Sequence, residues 1–277
     1  VVGIVLIVPY AVSVVLALAS RVDNADAMPL ALITGSSAGI GYAFARALAS
    51  EGYDLVLVAR DKQRLTNVAD ELASKYGVQA TAERADLTVR TDVQRIERLL
   101  ASEPTVDILV NNAGFGLGAS LLDNDIEAEQ RSLDVLVTAV LRLTRAVLPG
   151  MVARGSGDIV NVSSVSAYLA RGTYGAHKAW VTRFSRSMNA QYGTDALRVM
   201  AVCPGFTRTE FHSRMNADTD RIPKWMWLDA DDVVREALDD LRRGKAVSIP
   251  SKRWRALVRA GRLTPDRLIA RFATLGR

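Results

Sequence analysis

From Leu30 onward, short apolar runs alternate with longer segments in which apolar and charged positions recur at helical spacing. Leu30–Thr34 reads as a strand, Gly39–Ser50 as a helix that Gly52 ends, and Leu55–Ala59 as a second strand. A charged helix over Lys62–Lys75 stops near Gly77, and strand Val78–Arg84, helix Thr91–Ala101 and strand Ile108–Asn111 follow. The periodicity of Ile126–Leu148 predicts one long helix, broken by Pro149-Gly150. Next come strand Ile159–Val162, helix Tyr174–Tyr192 and strand Val199–Val202. Asp229–Leu241 reads as a helix closed by Gly244, before a short strand, Ala246–Ile249. Buried strands flanked by helices predict an α/β fold, a three-layer, doubly wound, mostly parallel sheet. Right-handed crossovers place the strand ends and their loops along one ligand-binding edge. No linker divides 28–250, which reads as a single domain with 206–228 as its irregular insertion or lid.

Two regions lie outside that pattern. Val1–Ala19 carries no charged side chain and approaches the length that spans a bilayer. Met28-Pro29 stands directly before the first strand, so 1–27 is read first as an over-extended start or dispensable leader, next as a membrane anchor, and last as an export signal. Residues 251–277 form a basic amphipathic tail. From Lys252 to Arg277 there are eight basic residues and one acidic, Asp266, while Trp254, Leu257, Val258, Leu263, Leu268, Ile269 and Phe272 supply an apolar side. A surface helix packed on the body is the first expectation for it, and attraction to an anionic membrane the second.

At 277 residues, 49% hydrophobic and 23% charged, the chain can bury one substantial core. Its net charge of +5 resides in the tail, leaving a near-neutral body that does not point to nucleic acid. The single cysteine, Cys203, excludes an intramolecular disulfide and is expected to be buried; two separated histidines, His177 and His212, give no metal-ligand spacing. No metal is expected, and the compartment expected is the cytoplasm, with membrane association through either terminal region as the second reading.

The first strand runs into Thr34-Gly35-Ser36-Ser37-Ala38-Gly39-Ile40-Gly41 and then a helix. Glycines at such a junction permit a tight turn and let a phosphate approach backbone N–H groups, the arrangement of a dinucleotide site. Arg60 follows the second strand, where an adenine ribose would lie, and its guanidinium can clamp a 2′-phosphate; Asp61, next to it, leaves NAD(H) as the alternative to NADP(H). Asp86 after the third strand would help hold the adenine end, and Asn111-Asn112-Ala113-Gly114 after the fourth would border the cofactor groove.

Tyr174 and Lys178, four residues apart on one helix, face the same way. A free phenol has a pKa of about 10, and a neighbouring ammonium with an oxidised nicotinamide would lower it toward neutrality. The expected chemistry is a carbonyl–alcohol interconversion: Tyr174 protonates the developing alkoxide, Lys178 orients the nicotinamide ribose, and Ser164, after the fifth strand, donates a hydrogen bond to the substrate oxygen.

In this order the motifs Thr34–Gly41, Asp86-Leu87, Asn111–Gly114, Ser164, Tyr174/Lys178 and Pro204-Gly205 with Thr209 resemble the classical short-chain dehydrogenase/reductase family over nearly all of 28–250. The resemblance implies a Rossmann fold with a seven-stranded sheet, NAD(P)(H) as sole cofactor and a homodimer or homotetramer. Ala176, Ala179 and Trp180 would then lie on the helix that commonly packs across the subunit interface. It also implies that Pro204, Gly205, Thr207 and Thr209 border the nicotinamide, and Arg60 is similar to the basic residue of NADP-preferring members. Two departures stand out. Leu136, in Leu133-Asp134-Val135-Leu136-Val137, replaces the Asn that the family often uses to hold a relay water, which argues for slow catalysis or a retired enzyme. The interval from Ser164 to Tyr174 is also short, so Tyr168, Leu169, Ala170 and Arg171 would form a compact wall over the substrate.

Phe115, Phe206, Phe211, Trp225, Met226 and Trp227 are candidates to roof an apolar cavity, or else belong to the core. With Tyr168 and Arg171 they make the candidate pocket for a small hydrophobic carbonyl or alcohol. The function expected is NADP(H)-dependent reduction of an apolar ketone or aldehyde, or the reverse oxidation. An NAD-dependent alcohol dehydrogenase and a non-catalytic cofactor-binding interaction protein are the alternatives.

Overall fold

The structure, a computed structural model, describes residues 28–102, 106–117, 119–169, 172–213 and 222–262. Seven strands form one sheet: β1 (Leu30–Thr34), β2 (Asp54–Ala59), β3 (Ala80–Arg84), β4 (Ile108–Asn111), β5 (Gly157–Val162), β6 (Leu197–Val202) and β7 (Val247–Ser248). Their spatial order is β3-β2-β1-β4-β5-β6-β7, and every neighbouring pair is parallel. The chain therefore winds outward from β1 in one direction and resumes at β4 in the other. That reversal opens a crevice beyond the carboxyl ends of β1 and β4, where open α/β sheets bind ligands.

Helices α1 (Gly39–Ser50), α2 (Lys62–Tyr76), α3 (Arg90–Ala101), α4 (Ile126–Leu133), α5 (Ala139–Arg154), α6 (Gly172–Tyr192), α7 (Glu210–Ser213), α8 (Ala230–Arg242) and α9 (Lys252–Arg262) complete the described elements. Alternate residues of each buried strand feed two cores. Ile33, Leu57 and Val160 meet Phe44, Leu65, Leu72, Val234 and Leu238 on one face. Leu32, Val56 and Ile159 meet Ile96, Leu100, Leu143 and Val147 on the other. Both faces being covered is why these strands read as unbroken apolar runs.

The stretch predicted as one helix to Leu148 differs in two respects. A π-turn, Asp134–Thr138, joins α4 to α5. The buried positions Val135/Leu136, Ala139/Val140, Leu143/Thr144 and Val147/Leu148 repeat every four residues. A helix of 3.6 residues per turn drifts by about 40° at each such step, and a wider turn restores the register. The helix also continues through Pro149 to Arg154, where Gly155 adopts a left-handed conformation. Burial of Leu148 and Met151 holds that last turn in place despite the missing N–H.

Among the described residues, Ile126–Arg154 is the helical run long and apolar enough to cross a membrane by length and composition, and half of its apolar window is buried in the protein. The leader 1–27 and the tail beyond 262 lie outside the described residues. The start of the tail is inside them: α9 turns Trp254 and Val258 into the core while Lys252, Arg253 and Arg259 face solvent.

Candidate active site

The glycine turn is held by side chains of the β4 loop. Gly35 donates its N–H to the Val58 carbonyl at 2.7 Å. The Asn112 amide donates to the carbonyls of Thr34 (2.9 Å) and Gly35 (3.0 Å), while the Thr34 hydroxyl accepts the N–H groups of Asn112 and Ala113, both at 3.0 Å. Gly35 and Gly39 have φ of +66° and +58°, values a side chain disfavours. A Cβ on Gly41 would stand 2.2 Å from the Gly35 carbonyl oxygen and one on Gly39 would stand 3.0 Å from the Thr209 side chain. The turn is thus a bare-backbone cradle at the amino end of α1, and it fits a pyrophosphate. Asn112, expected to border the cofactor groove, also pins the turn from beneath through its amide.

At the end of β2, Asp61 caps α2 by accepting the Arg64 N–H at 3.0 Å. Arg60, before it, is exposed and makes no ion pair among the described residues. Half-buried Asp86 accepts two bonds from Thr88, N–H at 3.0 Å and hydroxyl at 2.8 Å, through one carboxylate oxygen. Leu87 turns its side chain into the core. Ser37 and Ile40 remain partly open at the turn.

The proton-handling side chains come together at the end of β5. Ser163 turns inward, bonding the Lys178 carbonyl and the Thr182 hydroxyl at 2.7 Å each, and thereby docks α6 on β5. Ser164 points the other way. It accepts the Ser166 N–H at 3.1 Å, and its hydroxyl shares a hydrogen bond with the Tyr174 phenol. Lys178 is 5% exposed, donates to the Val162 carbonyl at 2.7 Å and has its Nζ 5.7 Å from the centre of the Tyr174 ring. Burial pulls the lysine down to about 8. Burial also pushes the Tyr174 phenol above its usual value, with the Ser164 bond acting in the opposite direction. The lowering expected from the sequence requires an oxidised nicotinamide beside the phenol, whose charge has no part in this balance. Within the chain alone, desolvation dominates and Lys178 donates to a carbonyl. A phenol that holds its proton at neutral pH suits proton donation to an alkoxide.

Leu136, 1% exposed, lies in the π-turn with its Cδ2 2.8 Å from where a Gly114 Cβ would be; the Lys178 ammonium is 3.9 Å from the same point. The residue in the family's Asn position therefore stands beside the lysine as a hydrocarbon wall. The Pro204 carbonyl accepts the Val165 N–H at 3.0 Å. Thr207 is buried with its hydroxyl on the Gly205 carbonyl at 3.0 Å, whereas Thr209 reaches the glycine turn.

A family profile of short chain dehydrogenases matches residues 29–220. The chain belongs to the short-chain dehydrogenase/reductase family. It is 37% identical to a short-chain dehydrogenase of Sphingobium yanoikuyae solved in complex with NADPH, with a TM-score of 0.78 over 84% of this chain and 93% of that one. It is 34% identical to an alcohol dehydrogenase of Comamonas testosteroni specific for bulky-bulky ketones, with a TM-score of 0.74 over 84% and 92% of the two chains. An uncharacterized oxidoreductase of Staphylococcus saprophyticus is 30% identical over 224 residues, 79% of this chain and 94% of that protein. As a short-chain dehydrogenase/reductase, this protein is an NAD(P)-dependent oxidoreductase acting on carbonyl or alcohol groups.

The pocket candidates separate in this short-chain dehydrogenase. Phe211 packs on Tyr174 with ring centres 5.8 Å apart. Phe206 meets Trp227 at 5.8 Å and Trp254 at 5.7 Å, and Trp254 donates its indole N–H to the Met226 carbonyl at 3.0 Å. A Cβ on Gly205 would fall within 2.5 Å of the Trp254 ring. Trp254 thus packs in the core against Gly205 and Phe206, a place that sequence reading did not give it; its signal was its position on the apolar side of a basic helix. Phe115 is half-buried against the opposite core. Tyr168 sends its hydroxyl inward to the Cys203 sulfur at 3.8 Å. Trp225 is 52% exposed, apart from the aromatic group around Phe206. Arg171 and Ala170 lie outside the described residues.

Proposed function

We propose that the protein is an NADP(H)-dependent reductase of bulky, apolar ketones or aldehydes, working also in the alcohol-oxidising direction. The observation that carries this reading is the Ser164–Tyr174 hydrogen bond beside buried Lys178, at the strand end facing the glycine cradle. The dinucleotide, when bound, supplies or accepts hydride. Ser164 donates a hydrogen bond to the substrate oxygen, Tyr174 delivers the proton to it, and Lys178 holds the ribose and positive charge at the phenol's back. Phe206, Phe211, Trp227 and Trp254 exclude water and favour an apolar substrate. The bulky ketones of the Comamonas enzyme agree with such a pocket. Exposed Leu133 and Leu141, with the stacked Trp180–Phe184 pair on α6, support a homodimer or homotetramer built on the α4–α6 surface.

Purified protein mixed with NADPH and a panel of lipophilic carbonyls should consume NADPH and form the alcohol. Tight NADPH binding with no turnover across the panel would move the reading to a cofactor-binding interaction protein, the outcome that Leu136 favours.

Preference for NADPH is supported by Arg60, which no carboxylate among the described residues neutralises, and by the NADPH held in the Sphingobium relative. Arg60→Ala should weaken NADPH binding by about 10- to 100-fold, the worth of a charge-assisted contact, and leave NADH binding nearly unchanged. Calorimetric titration of both cofactors checks this; equal losses for the two would remove Arg60 from the site.

The lysine sets a pH dependence. Below about 8 its ammonium is present, and above it the ammonium is lost. The kcat/KM for reduction should therefore fall as pH rises through that value. A profile flat to pH 10 would show that the lysine's charge is not needed.

A further inference from the structure

The segment after β6 ends in a contact that the reaction chemistry does not explain. Arg64, on the first turn of α2, donates from both terminal nitrogens to Glu210, at 2.9 Å and 2.5 Å. The two residues belong to elements on opposite sides of the crevice. Sheet order puts four inter-strand steps between β6 and β2, about 19 Å in all. The stretch from Cys203 to Glu210 reaches at most about 25 Å. With Thr209 against Gly39 of the glycine turn, it passes from the end of β6 across the carboxyl ends of β5 and β4 to that of β1.

Each residue at the far end of this strap has an anchor. Thr209 rests on Gly39 of the glycine turn. Glu210 holds Arg64. Phe211 packs on Tyr174. At the root, Arg208 donates its N–H to the Leu228 carbonyl at 2.9 Å, and Leu228 donates to the Phe206 carbonyl at 2.7 Å. The root is tied by backbone bonds, whereas the far end is held by side-chain contacts, of which the Arg64–Glu210 ion pair is exposed and open to competition by solvent.

We propose that Arg64 and Glu210 are positioning residues that strap the 204–211 segment over the dinucleotide and slow its release. The proposal rests on the dinucleotide reading above and adds to it a determinant of cofactor residence. Neither residue touches the reacting atoms. They act by holding Thr209 on the turn and the Phe211 ring on the catalytic phenol, so one tie at the adenosine end sets closure at the nicotinamide end. Exchange of oxidised for reduced cofactor then requires this pair to separate.

The test is stopped-flow release of NADH and NADPH from the full chain, for the parent, Glu210→Gln, Arg64→Gln and the double variant. NADH lacks the 2′-phosphate, so its release reports the strap without any phosphate contact by Arg64. An exposed pair of 40% and 45% accessibility is expected to slow release by about two- to five-fold. All three variants should therefore release NADH faster by that factor, with the double variant no faster than either single one. Salt should speed release from the parent and leave Glu210→Gln unchanged. Unchanged release in Glu210→Gln, or single effects that add in the double variant, overturns the strap while leaving the cofactor reading intact. A parent that binds neither dinucleotide overturns both.

Discussion

Tyr174→Phe should lower kcat for carbonyl reduction by about 10²- to 10⁴-fold, the range for loss of a positioned proton donor, while the protein still binds NADPH. The variant keeps the ring that Phe211 packs on and the face that Lys178 approaches, and removes only the oxygen hydrogen-bonded to Ser164. The cost to folding should be confined to that one hydrogen bond, about 1 kcal/mol, because the ring and its packing remain. Single-turnover mixing of the NADPH complex with a ketone separates the proton and hydride step from cofactor binding. Parent-like turnover in the variant would remove Tyr174 from the proton step.

The second large effect is at Gly41. A methyl there would stand 2.2 Å from the Gly35 carbonyl oxygen and 2.3 Å from the Asn112 amide nitrogen. Neither neighbour is a free side-chain end: one is backbone, and the other is fixed by its bonds to Thr34 and Gly35. Gly41→Ala must therefore lift the turn off the β4 loop, at a cost of about 1–3 kcal/mol for forced overpacking. In a domain of this size each kcal/mol lowers the melting temperature by about 2–4 °C. Dinucleotide affinity should fall at least about tenfold, because the N–H groups that face the pyrophosphate no longer converge. Calorimetry and cofactor titration check the two effects together. Parent affinity with a parent melting temperature would mean that the turn is looser than these contacts require.

Strand and helix positions were readable wherever both faces of an element reported the same period. Leu30–Thr34, Gly39–Ser50 and Ile108–Asn111 agree with the structure to the residue. The sheet is a little more uniform than expected, with every pair parallel. Pro149 misled because its cost is local, whereas the burial of Met151 that outweighs it comes from the sheet beneath. The π-turn escaped notice because a four-residue repeat looks helical until burial shows that one stripe must stay on one face.

The candidate site divides in the same way. Tyr174, Lys178 and Ser164 come together because one helical turn and one strand end place them; the inward turn of Tyr168 and the exposure of Trp225 depend on what each side chain packs against. The distribution of apolar and polar residues along the chain was enough to specify the doubly wound sheet, the bare glycine cradle and the Tyr–Lys pair, since periodicity and spacing act within a few residues. The tertiary structure alone decided that Asn112 braces the turn, that Trp254 packs back against Phe206 and that Glu210 meets Arg64. These contacts join residues between 48 and 146 positions apart in sequence, and strand order, which no local pattern encodes, is what brings them within reach.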